Sequence, residues 1–164
     1  MKTFLRTFVI VTHLLLLDAV TKELAAGLLK NNPPCSVISG FFNLAYVENR
    51  GCAWGMFQGR YTILAMVAAV ALAFFIWKRK PIFGVDLPGW RGRVGVLAER
   101  LLYAGIIGNL IDRVFRGYVI DFLDFYFQSY HFPCFNVADM CITLAAVGLI
   151  ILTFFAPQQK PHLS

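Results

Sequence analysis

The sequence predicts an all-α integral membrane protein with four transmembrane helices, on three observations. Of 164 residues, 59% are hydrophobic and only 15% are charged, whereas a soluble domain is about half apolar and about a quarter charged. Mean hydropathy is +0.66. The apolar residues also gather in four runs, each near the roughly 20 residues that cross a bilayer core of about 30 Å. The same composition excludes a disordered segment, which needs low hydrophobicity and high charge. Fifteen Lys+Arg against nine Asp+Glu give a net +6. In a chain this apolar, that surplus points to membrane orientation rather than to nucleic acid.

The first span is Phe4–Leu29. Its start resembles a secretory signal peptide, but the apolar run continues past Asp18 to Leu29 without a small-residue cleavage site, so it reads as a retained helix. The second span, Tyr61–Trp77, carries no charge and is bounded by Arg60 and Lys78. The third is Val94–Ile111 and the fourth Phe135–Phe155. Segments 30–60, 78–93 and 112–134 hold most of the Pro, Gly and polar residues and read as loops. The first loop carries a small β element on the outer face, and the third is an interfacial aromatic loop. Residues 1–164 form a single membrane domain in this reading, without internal repeats.

Lys/Arg placement orients the spans. With a cytoplasmic N-terminus, the inner side holds Lys2, Arg6, Lys78, Arg79, Lys80, Arg91, Arg93, Arg100 and Lys160 against Asp86 and Glu99, a net +7. The outer side holds Lys22, Lys30, Arg50, Arg60, Arg113 and Arg116 against seven acids, a net −1. Both termini are then cytoplasmic. Phe122, Phe125, Tyr126, Phe127, Tyr130, Phe132 and Phe135 form an aromatic belt on the outer side.

The scarce acids need reasons, because an ionised group at a helix centre costs about 2.5–3.5 kcal/mol in a membrane. Asp18 and Lys22 lie one turn apart and read as an ion pair that docks the first helix. Asn49-Arg50-Gly51-Cys52-Ala53-Trp54-Gly55 suggests a tight turn in the interface, or simply a loop anchored by Trp54. Gly105, Gly108, Asn109 and Asp112 share one helix face, where small residues admit a second helix, and Asp112-Arg113 is a candidate ion pair. Asp139 falls in the first turn of the fourth span, with Asn136 before it and Thr143 after it on one polar stripe. A helix cap explains either Asn136 or Asp139 alone. It does not explain Asp121, which sits among apolar neighbours at similar depth. Two carboxylates in a low-dielectric site share a proton, which is aspartic-protease chemistry.

These motifs together resemble the type II signal peptidases, the bacterial lipoprotein signal peptidases. The resemblance runs through Leu17-Asp18-x-x-Thr21-Lys22, Asn49-x-Gly51-x-Ala53-Trp54-Gly55, Gly108-Asn109-Leu110-Ile111-Asp112-Arg113, Val119-Ile120-Asp121-Phe122 and Phe135-Asn136-Val137-Ala138-Asp139, in that order. It implies an intramembrane aspartyl endopeptidase of the bacterial inner membrane, active toward the outer face. The enzyme would remove signal peptides from diacylglyceryl-modified prolipoproteins, just before the lipidated Cys. It further implies Asp121 and Asp139 as the catalytic pair, and Asn109, Asp112, Arg113 and Asn136 as lining or supporting residues. Asn49 and Gly51 would close over substrate, and Asp18 and Lys22 would support the site. No cofactor or metal is implied, and inhibition by the cyclic peptide globomycin is. A monomer is expected, since one chain supplies both Asp residues. Cys52 departs from the small Ala common at that position, and Asp124 lies outside the motif and is assigned no catalysis.

Other readings start from the same residues. Asp121-x-x-Asp124 with Asp139 offers carboxylates for Mg²⁺, as in a metal-dependent lipid phosphotransferase. Intramembrane Asp residues also serve proton-coupled transporters. A Cys52–His131 nucleophile pair and a Cys35–Cys134 disulfide are open from sequence. His13, His131 and His162 lie far apart and read as incidental.

Overall fold

The computed structural model describes residues 2–51 and 56–155. Trp54 and Cys52 of the outer turn, and Lys160 of the inner charge set, lie outside the described residues. The elements run α1 (Lys2–Leu29), β1 (Cys35–Ile38), β2 (Phe42–Asn49), α2 (Tyr61–Trp77), α3 (Arg79–Phe83), α4 (Gly89–Phe115), β3 (Val119–Phe127), β4 (Tyr130–His131) and α5 (Val137–Phe154). Three helices, α1, α4 and α5, are long and apolar enough to cross a membrane, and α2 is a shorter apolar helix.

The helices are apolar on nearly all sides. No residue of α2 is buried within the chain, and Phe4, Val70, Trp77 and Phe154 are each at least 70% exposed. Apolar surface of that extent is stable against lipid, not water. Helix α4 is different. It buries a stripe of small residues, including Gly95, Ala98, Ala104, Gly105 and Gly108, and so forms the centre against which the others pack. At Gly108 an added Cβ would lie 2.8 Å from Asp18 Oδ2 and 3.2 Å from Ala138 Cβ, so the Asp18 carboxylate of α1 and the start of α5 both pack on the bare backbone of α4.

Two apolar clusters hold the ends. Phe83, Ala98, Leu102 and Ala145 join α3, α4 and α5. At the other end Ala25 of α1 packs on Ile120 and Phe122 of β3. Beside the first cluster, Glu99 is 1% exposed and accepts two bonds from Arg79, at 2.7 and 3.0 Å.

Several expectations need correction here. The loops at 30–60 and 112–134 join into one antiparallel sheet, ordered β1-β2-β3-β4. The aromatic segment is therefore a strand and hairpin rather than a loop. Its Phe residues stack across strands, with Phe42 on Phe125 at 4.5 Å and Phe125 on Phe135 at 5.7 Å. An aromatic-rich run looks alike as an interfacial loop or as a strand, and only pairing with β2 distinguishes them. The segment 78–93 contains α3 and the first turn of α4. Helix α4 outruns its predicted ends at both sides, stopping where Gly117 takes a left-handed φ of 76° and its N–H meets Arg113 O at 3.2 Å.

At the sheet end of the bundle lies a buried ionic cluster. Lys22, 1% exposed, pairs with Asp18 Oδ2 at 2.7 Å and Asp112 Oδ2 at 2.9 Å. Its third donor reaches Asn109 Oδ1 at 3.2 Å. Arg116 pairs with Asp112 Oδ1 at 3.0 Å and with Glu23. The expected Asp112–Arg113 pair is thus replaced by Asp112 with Lys22 and Arg116. Neighbouring helical residues point about 100° apart, whereas residue 116 lies one turn above 112 on the same face. Asp18 Oδ1 also accepts from Ala138 N at 2.8 Å, tying α1 to the start of α5.

Two outcomes follow. Lys22→Met leaves buried Asp18 without its cation and Asp112 with Arg116 alone, and should cost about 3–5 kcal/mol in thermal unfolding in detergent. A loss below about 1 kcal/mol, the range of a surface pair, would contradict a buried ionic anchor. Gly108→Val should cost about 1–3 kcal/mol by forcing the helices apart, read as a lower midpoint in thermal unfolding in detergent.

Candidate active site

The site is built where strand β3 meets the start of α5. Strand β2 carries a bulge opposite Asp121: Leu44 pairs with Leu123 and Val47 with Asp121, so β2 advances one residue more than β3. A bulge bends its strand and re-aims side chains. Here it lies beside the first carboxylate, and two residues past Val47 it delivers Asn49 to that carboxylate's Oδ2, with Nδ2 at 2.9 Å.

Asn136 is the N-cap of α5. Its side chain accepts from Asp139 N at 2.9 Å, and its backbone N–H donates to Asp139 Oδ2 at 3.2 Å, a reciprocal capping box. The helix-cap reading of these residues therefore holds, yet it uses only part of them. Asn136 Nδ2 also donates to Asp121 Oδ1 at 2.6 Å. One fully buried amide thus touches both carboxylates, one through its side chain and one through its backbone. Asn109 supplies the other bond to Asp139, from Nδ2 to Oδ1 at 2.7 Å, while its Oδ1 accepts from Lys22 and Asn136. The ionic cluster and the carboxylates are one continuous network.

Asp121 is 2% exposed. Burial, and then the negative charge of Asp139, push its carboxyl up from the usual 3.8 to about 7. Bonds from Asn49 and Asn136 hold it back from going higher. Near neutrality this carboxyl is therefore only partly ionised.

A cavity of about 1130 Å³ opens over these groups and is lined by Asn49, Asn109, Arg113, Asp121 and Asp139. Arg113 reaches across it, from Asn109 O at 3.2 Å to Gly51 O at 3.3 Å. Gly51 N in turn donates to Asn49 Oδ1 at 3.0 Å, which fixes the amide that faces Asp121. Of the residues singled out from sequence, Asn49, Asn109, Arg113, Asp121 and Asp139 line this cavity. Asn136 bridges the carboxylates from below, Gly51 braces Asn49, and Asp18, Lys22 and Asp112 stand behind Asn109. Where the cavity runs between the helices, Ala68 of α2, Ile106 of α4 and Leu144 of α5 make its wall apolar.

One pair escaped the sequence reading. His131, read as incidental, bonds through Nδ1 to Asp124 Oδ1 at 2.8 Å, and Asn43 Nδ2 donates to Asp124 Oδ2 at 3.1 Å. Both His131 and Asp124 line the cavity. A hairpin reading of residues 119–131 would have brought them together, since Tyr126 pairs with His131. Among the described residues no three His, Cys, Asp or Glu side chains group as metal ligands, and Asp124 is held by His131 and Asn43. Cys35, Cys134 and Cys141 are free thiols. Burial raises the Cys134 thiol to about 12, so it stays protonated. Cys52, the other half of the Cys–His reading, lies outside the described residues.

Comparison with known proteins agrees with this architecture. The family model described as signal peptidase (SPase) II matches residues 10–155. A lipoprotein signal peptidase of Symbiobacterium thermophilum is 38% identical over 143 residues, 87% of this chain and 90% of that protein. One from Acinetobacter baumannii is 37% identical over 153 residues, 90% of this chain and 82% of its own length. A solved bacterial membrane enzyme structure, 31% identical, superposes with a TM-score of 0.72 over 94% of this chain and 93% of that one. A second, 32% identical, gives 0.70 over 92% and 93%. With the family model covering nearly the whole chain and relatives above 30% identity along most of their length, the chain belongs to the signal peptidase II family.

Proposed function

We propose that this aspartic peptidase removes the signal peptide of diacylglyceryl-modified prolipoproteins just before the lipidated Cys, with Asp121 and Asp139 as its catalytic pair. The observation that carries the assignment is the Asn136 bridge: one buried residue bonds both carboxylates, and both line one cavity. The family itself is that of the lipoprotein signal peptidases.

The chemistry follows from the shared proton. Asp139, in the first turn of α5 where the helix dipole favours negative charge, is the ionised partner and takes a proton from water. Asp121, protonated, hydrogen-bonds the scissile carbonyl oxygen. Water adds to the carbonyl carbon, and the tetrahedral intermediate collapses as the proton returns to the leaving amine nitrogen. Neither a covalent acyl-enzyme nor a metal takes part. Asn109, Asn136 and Asn49 fix the two carboxylates, and Arg113 with Gly51 braces the wall above them. Asp18, Lys22 and Asp112 hold Asn109 in place.

The substrate is amphipathic, and so is the cavity. Acyl chains stay toward the apolar wall at Ala68, Ile106 and Leu144, reached laterally from the bilayer. Helix α2 completes a four-span bundle, since its 17 residues are within the range for a crossing helix. The outer-face charge of −1 against an inner +7 sets both termini in the cytoplasm and the sheet on the outer face of the inner membrane. The chain acts as a monomer, forms one membrane domain, and is inhibited by globomycin seated in the same cavity.

Asp121→Asn and Asp139→Asn should each lower turnover of lipidated prolipoprotein by about 10³-fold or more in a gel-shift assay. Near-normal activity in either variant removes the pair. The pH dependence has a definite sign. Asp121 is raised in the folded protein, so its proton is lost as pH rises through about 7. kcat/KM should therefore fall on the alkaline side with a midpoint near 7. Stability has the same sign: the contribution is fully present below about 3.8 and lost as pH rises through about 7. Asp121→Asn should flatten the fall in unfolding midpoint between pH 5 and pH 8, and an unchanged slope would contradict the raised carboxyl.

A further inference from the structure

Beyond the two carboxylates, the cavity holds a second rigid polar pair that the reaction above does not use. His131 sits on β4 and its ring stacks on Tyr126, with centroids 5.1 Å apart and planes 11° from parallel. Its Nδ1 meets Asp124 Oδ1 at 2.8 Å. Asp124 is buried and is held from the other side by Asn43 Nδ2 at 3.1 Å. The ring is thus fixed by a stack on one face and a carboxylate at one nitrogen. That carboxylate only accepts, so Nδ1 must carry the hydrogen. In the neutral imidazole this leaves Nε2 as an acceptor, since the bond at one ring nitrogen sets the tautomer at the other. Nε2 has no partner among the described residues.

The position of the pair says what it meets. The apolar wall at Ala68, Ile106 and Leu144 takes acyl chains, and the catalytic carboxylates take the scissile bond. His131 lies on the β3–β4 hairpin, away from the apolar helix wall of the same cavity, with its side chain 53% exposed. A chain cleaved just before its lipidated Cys leaves toward water through its residues beyond that Cys. We infer that Asp124 and His131 form a binding subsite for the substrate backbone just past the lipidated Cys, His131 Nε2 accepting from a main-chain N–H and Asp124 acting as the positioning residue. This rests on the peptidase assignment above. A main-chain contact suits an enzyme that must accept many sequences at that point, because every residue except Pro offers the same donor.

The test uses two synthetic lipidated substrates, both with a complete signal peptide and diacylglyceryl-Cys. One ends at that Cys as an amide, and the other continues for six residues. His131→Phe keeps the stack on Tyr126 and removes the acceptor. Asp124→Asn turns an amide donor toward Nδ1, which moves the ring hydrogen to Nε2. For the long substrate each variant should raise KM about 3- to 10-fold with kcat little changed, the size of one lost hydrogen bond. For the short substrate wild type and variants should match. An equal penalty on both substrates would mean a structural role and overturn the subsite, as would no penalty on either. If the wild-type protein cleaved neither substrate, the peptidase assignment itself would fail. Failure of the subsite alone shows instead as a wild type that cleaves both, with variants indifferent to length.

Discussion

Lys22 carries a positive charge that is 1% exposed, inside the bundle. Its three donors reach Asp18, Asp112 and Asn109, which belong to α1 and α4. Each of these then does something else. Asp18 receives the backbone of Ala138 and so fixes where α5 begins. Asp112 joins Arg116, which ties the end of α4 to Glu23 of α1. Asn109 has its oxygen claimed by Lys22, so its NH₂ must point the other way, at Asp139. One buried ammonium therefore sets the start of α5 and the orientation of the amide that holds a carboxylate. Burying an ion pair is a poor way to gain stability, since desolvation opposes it. What it supplies here is register between three helices that otherwise touch through small residues and lipid.

The same economy appears at α5. A membrane helix whose first N–H groups lack partners is costly, so Asn136 and Asp139 cap it. The cap leaves an Asn amide and an Asp carboxylate at the helix mouth, facing β3. The bulged strand next to it brings Asp121 and Asn49 to the same place. The carboxylates sit at the boundary between the apolar helices and the sheet, where, in the function proposed above, a lipidated peptide would present both parts of itself. His131 and Asp124 add a second polar pair to the lining of the same cavity.

Much of this was legible in the sequence, in the parts governed by composition and short spacing. The extent of α2 follows from its lack of charge between Arg60 and Lys78. Asp18–Lys22 is readable from one helical turn. The capping box is readable from Asn136-x-x-Asp139. What was not legible depends on pairing across long separations. Nothing in residues 112–134 says that Asp121 will lie against Val47, because an aromatic-rich strand has the same composition as an interfacial loop. One partner of Asp112, Lys22, is ninety residues away in α1; the other, Arg116, is one helical turn on and could have been read from spacing in preference to the adjacent Arg113. His131 became meaningful only once the hairpin placed it beside Asp124. The family resemblance pointed to Asp121 over Asp124, a distinction that periodicity along β3 does not make.

The central claim is that Asp121 and Asp139 share one cavity and, near neutrality, one proton. Carboxyl-labelled aspartate followed by carbon NMR through a pH titration in micelles reads this directly, with Asp121 assigned by its loss in Asp121→Asn. The account predicts that the Asp121 carboxyl titrates near 7 in the native protein. It also predicts a shift toward the ordinary range in Asp139→Asn, once the neighbouring charge is gone. A carboxyl that titrates near 4 and ignores the state of residue 139 would contradict it.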